Sequence, residues 1–99
     1  MHYSTASRNE EVLGTIFWKE VEEGWIRYEQ KTGNTQLFTP LARFAFDLIN
    51  KSPAPLSLSA IANEVQREEP DTEPSECLVE VESVLRILSE AQLILPIQL

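Results

Sequence analysis

The chain has 99 residues and a mass of 11.3 kDa, the size of one domain, with 42% hydrophobic and 24% charged side chains and no apolar run near the roughly 18 residues that span a bilayer. Eight Lys and Arg against sixteen Asp and Glu leave a formal charge of −8, a field that repels phosphate backbones, so neither a membrane span nor nucleic acid binding is expected. Cys77 is the single cysteine and His2 the single histidine, so an internal disulfide, a His-centred catalytic site and a Cys/His metal site all lack their parts.

Residues 1–12 carry neither the basic start nor the apolar stretch of a signal peptide, and they read as a flexible tail on a cytoplasmic protein whose folded domain covers residues 13–99. Residues 15–21, Thr-Ile-Phe-Trp-Lys-Glu-Val, are β-branched and aromatic and predict a strand, with a short turn at Glu22, Glu23 and Gly24. Residues 25–30 alternate, with Ile26 and Tyr28 on one face and Trp25, Arg27 and Glu29 on the other, as a half-buried strand does. Lys31-Thr32-Gly33-Asn34 is a turn cluster that places Gly where a left-handed residue sits, and residues 35–39 return as a third strand.

Thr39 followed by Pro40 reads as an N-cap and first helical position, after which Leu41, Phe44, Ala45, Leu48 and Ile49 recur at helical spacing. Ser52-Pro53-Ala54-Pro55 breaks that helix. Ser57 caps a second one carrying Leu58, Ile61, Ala62 and Val65, with Leu56 and Ile61 spaced as a hydrophobic staple. An acidic breaker, residues 68–74, precedes a long third helix that presents Leu78, Val81, Val84, Leu85 and Leu88 to the core and ends near Gln92. The apolar residues 93–97 are too few for another helix and are expected to pack back on the sheet or the first helix. Strands in one block and helices in another make the fold class α+β: a three-stranded antiparallel meander followed by three α-helices.

No phosphate-cradling loop, general base near neutral pKa or activated nucleophile emerges from the sequence, so no enzyme, cofactor or metal is expected. Binding features are present instead. The third strand, Thr35, Gln36, Leu37, Phe38 and Thr39, lacks the inward charge or internal Pro that protects an edge, so an extended peptide can add there. Its own C-terminal tail or a second copy of the chain, forming a homodimer, are the competing occupants. On the third helix Val79 and Ile87 lie outside the main apolar line, either beneath the C-terminal tail or as the wall of a partner groove. Trp18, Trp25 and Tyr28 fit either the core or an interface, and Arg27 and Arg43 fit either a grip on a peptide carboxylate or ordinary solvated charges. Cys77 reads as a small buried hydrophobe.

The segments Gly24-Trp25-Ile26-Arg27-Tyr28, Thr32-Gly33-Asn34-Thr35-Gln36-Leu37-Phe38-Thr39-Pro40-Leu41-Ala42 and Pro55-Leu56-Ser57-Leu58, with Ile61-Ala62, resemble the PqqD family of peptide chaperones, in particular the branch that accompanies HPr-kinase-related proteins, the HPr-rel-A system. That resemblance implies a winged-helix-like domain without catalysis of its own, a recognition element that captures the leader of a ribosomally made precursor peptide as an added strand and presents it to a partner modifying enzyme, here an HPr-kinase-related protein. It places the peptide beside Thr35, Gln36, Leu37, Phe38 and Thr39, in a groove walled by Val81, Val84, Leu85 and Leu88. The chain departs from the family at Gln92, where members close the third helix with Gly, and at Gln36, where a basic or aromatic residue is usual. A winged-helix DNA-binding regulator and an obligate subunit of a larger complex are the alternatives. Five acidic residues before and at the start of the third helix, Glu68, Glu69, Asp71, Glu73 and Glu76, oppose the first.

Overall fold

The computed structural model describes residues 2–5 and 16–97. Their elements, in chain order, are β1 (His2–Thr5), β2 (Ile16–Val21), β3 (Gly24–Glu29), β4 (Thr35–Phe38), α1 (Pro40–Lys51), β5 (Leu56–Ser57), α2 (Leu58–Glu68), α3 (Pro74–Glu90) and β6 (Ile94–Ile97). β2, β3 and β4 form an antiparallel meander in that spatial order, with Trp18 opposite Arg27 and Arg27 opposite Gln36.

Two glycines set the meander's turns. Gly24, at φ +147°, lies so close to β4 that a Cβ would strike the Phe38 carbonyl. Gly33, at φ +74°, supplies the left-handed residue between β3 and β4, where its N–H donates to the Glu29 carbonyl at 2.8 Å.

The helices start where their caps predict. The Thr39 hydroxyl accepts from the Ala42 N–H at 3.1 Å, and the Ser57 hydroxyl accepts from the Ala60 N–H at the same distance. Each satisfies one amide of a first turn that has no partner within its helix. Pro74 opens α3 at a position where a missing N–H costs nothing. One faces of α1, α2 and α3 together supply the core, with Phe46, Ile49, Ile61, Val65, Val81, Leu85 and Leu88 all buried. Phe38 enters it from the meander, packing edge-on against Trp18 and Phe46 at centroid distances of 5.0 and 5.5 Å.

The structure contains a second sheet that the sequence pattern does not signal. β1 lies between β5 and β6, antiparallel to both, pairing Tyr3 with Leu56 and Pro96. The expected flexible tail is thereby corrected at His2–Thr5: half-buried Tyr3 packs against the core and the backbone joins a ladder. Residues 6–12, the rest of that tail, lie outside the described residues. The C-terminal segment, expected on the meander or the first helix, instead pairs as β6 with β1 and packs against α3, and so leaves β4 uncovered by any described strand.

Candidate functional site

β4 pairs with β3 along one side and with no described strand along the other, so its second side presents backbone N–H and C=O groups without a ladder. Beside this edge runs a groove of about 230 Å³, floored and walled by Gln36, Leu37 and Phe38 of β4, Ala42 of α1, Ile87, Leu88 and Ala91 at the end of α3, and Leu93. Its mouth is flanked by two exposed apolar side chains, Leu37 at 59% and Ile87 at 60%. An open strand edge next to an apolar trough suits an extended peptide: the backbone completes the ladder and alternate side chains enter the trough.

The sequence-derived site residues divide. Gln36, Leu37, Phe38 and Leu88 line the groove, and Thr35 belongs to the same open edge. Thr39 ends the strand, its hydroxyl committed to capping α1. Val84 is half-buried against the core. Val81 and Leu85 are corrected: both have no exposed surface and sit in the helix core, because the buried stripe of α3 is centred on them. The wall is formed one step around the helix, at Ile87 and Ala91. Ile87 falls outside the main apolar line of α3, and that departure is its signal in the sequence; Ala91 and Ala42 are too small to stand out. Val79, 68% exposed, and Ile87 are left exposed by the described part of the C-terminal segment, residues 93–97.

Neither arginine has the role considered for it. Arg27 is 2% exposed, its guanidinium 5.8 Å from the Phe46 ring centre and its Nη1 3.6 Å from Glu29. Arg43 is clamped between indoles, 3.9 Å from the Trp18 ring centre and 4.5 Å from Trp25, while its Nε donates to Asp47 at 3.1 Å. Its Nη1 is buried without a hydrogen-bond acceptor, and the indole faces supply compensating electrostatics. Arg27, buried, and Arg43, about a quarter exposed, both tie the meander to α1. Tyr28, by contrast, lies on the outer face of the meander, stacked on Phe17 at 6.5 Å.

Cys77 is buried, its thiol 3.7 Å from the Ala62 carbonyl. Burial pushes this thiol above the ordinary range, and the nearby carboxylates of Glu80 and Glu69 push the same way, so it is held protonated and unreactive. Among the described residues no group of three or more His, Cys, Asp or Glu is placed to hold a metal ion, and no helix is long and apolar enough to cross a membrane.

Three antiparallel strands followed by three helices, with the third helix end beside the third meander strand, define a winged-helix-like α+β domain. The fold is similar to that of a lasso peptide synthetase B1 solved in complex with the leader peptide: TM-score 0.59, 15% identity, covering 83% of this chain and 92% of that one. No family model matches the sequence, and no curated protein matches it.

Proposed function

We propose that the protein is a non-catalytic peptide-binding domain that captures a precursor or leader peptide as an added strand on β4, its side chains entering the groove between β4 and α3, and presents it to a separate modifying enzyme. The observation that carries this reading is the coincidence of an open edge at Thr35–Phe38 with an apolar trough beside it. The fold it shares with a leader-bound lasso peptide synthetase B1 supports the same reading, as does the PqqD-like pattern of the turns and caps. On that resemblance the receiving enzyme is an HPr-kinase-related protein; the compartment we propose is the cytoplasm. A DNA-binding role is disfavoured by exposed Glu76, Glu80, Glu82 and Glu90 along α3 in a chain of net charge −8.

The test is capture by the tagged protein from extract of its source cells, with mass spectrometry of what stays bound. Recovery of a defined small peptide or precursor is expected. Leu37→Pro, which removes a strand N–H, and Ile87→Glu, which puts a charge on the groove wall, should each lower its retention by about tenfold or more. Arg67→Ala, on an exposed face of α2 where the side chain pairs with Glu64, should leave it within about twofold. Circular dichroism checks that each variant is folded. Equal loss in all three folded variants, or recovery of DNA alone, would contradict the proposal.

A further inference from the structure

At its Ala91 end the apolar groove adjoins a polar compartment of about 200 Å³, lined by Glu29, Thr32, Asn34, Gln36 and Gln92. The two compartments are contiguous, sharing Gln36, Ala91 and Leu93. Among the described residues that line the polar part, Glu29 carries the one formal charge. Its partner Arg27 lies 3.6 Å away, beyond hydrogen-bond range, and is buried behind it without lining either compartment. The Glu29 carboxylate is thus ion-paired with Arg27 yet accepts no hydrogen bond from a described residue, and as a lining group of the compartment it can take a further donor. Three side-chain amides and the Thr32 hydroxyl surround it with further acceptors.

Same-facing side chains on an extended strand repeat about every 6.6–6.8 Å, so adjoining compartments are reached by residues two apart. Resting on the peptide-binding reading above, we infer that the captured segment carries an apolar side chain for the groove and, two residues along, a Lys or Arg whose cation sits against Glu29. The chain's charge of −8 favours the same sign. A peptide carboxylate at this position would face both Glu29 and the field of the whole molecule.

The experiment uses fluorescein-labelled dodecapeptides with one central Leu in a Ser/Thr background, and Arg, Gln or Glu placed two or four residues to either side, with binding read by fluorescence anisotropy. Arg at one of the two near positions should bind at least about fivefold tighter than Gln, and Glu more weakly than Gln, while Arg at the far positions should gain less than about twofold. Glu29→Gln should abolish the near-position preference and leave Leu-dependent binding in place. Should that variant unfold because Arg27 loses its partner, the positional comparison on the unaltered protein still decides. Leu-dependent binding with no preference for Arg, or the same Arg gain at every position, would overturn the inference and leave the peptide reading standing. Absence of Leu-dependent binding throughout would overturn both.

Discussion

Gln92 adopts φ +61°, the one positive φ outside glycine among the described residues. It does so because α3 ends in a Schellman motif: the Leu93 N–H donates to the Leu88 carbonyl and the Gln92 N–H to the Ser89 carbonyl, both at 3.0 Å. The buried side chains of Leu93 and Leu88 lock that geometry in the core. The family resemblance expects Gly at this position; the helix keeps the same end, and the cost falls on Gln92. Gln92→Gly should therefore raise stability by about 0.5–1 kcal/mol in urea unfolding; a loss of stability would contradict the strained cap. Arg43 presents the reverse case, a cation that holds aromatic rings together. Arg43→Ala should destabilise by about 1–3 kcal/mol, and Arg43→Lys should recover little of it, because an ammonium cannot stack between two indoles. Full recovery by Lys in the same unfolding assay would show that charge alone suffices. Cys77 should react slowly with a thiol reagent at pH 8 in the native protein and rapidly in denaturant. Its raised thiol pKa means that the folded state holds the proton more tightly, so its contribution to stability is present below the unfolded-state pKa and is lost as pH rises above it.

At the scale of elements, local chemistry decided what could be read from sequence. The meander, the three helices and the caps at Thr39 and Ser57 were legible because alternation, turn glycines and capping side chains are short-range signals. β1 was not, since four residues, His-Tyr-Ser-Thr, carry no periodicity and become a strand only through partners more than fifty residues away in sequence, at β5 and β6. The candidate groove was half legible. Its strand wall followed from edge character, whereas its helix wall depends on how α3 is rotated against the core, which apolar spacing fixes only within about one residue step of 100°. That rotation moved the wall from Val81 and Leu85 to Ile87 and Ala91. Arg27 escaped for another reason: an alternating strand shows which residues share a face but not that the face bearing an arginine is the inner one. β1 lies in a sheet separate from the groove. Tyr3→Ala should accordingly cost about 1–2 kcal/mol of stability while leaving peptide affinity of the folded protein within about twofold. A large loss of affinity would instead couple the second sheet to the groove.

For the molecule as a whole, the two sheets divide the work. β5, β1 and β6 close the helical layer, and the meander carries its open edge to the end of α3, where apolar and polar compartments meet. Acidic side chains on the exposed face of α3 and a net charge of −8 bias what approaches toward cations and away from polyanions. Strand addition at β4 is the central claim, and amide hydrogen exchange on the protein with its captured peptide, compared with the protein alone, tests it most directly. New protection should be concentrated in Thr35–Phe38 and around Ile87 and Ala91, with β5, β6 and the outer meander face at Phe17 and Tyr28 unchanged. Protection at those other surfaces, with β4 still exchanging freely, would contradict the account.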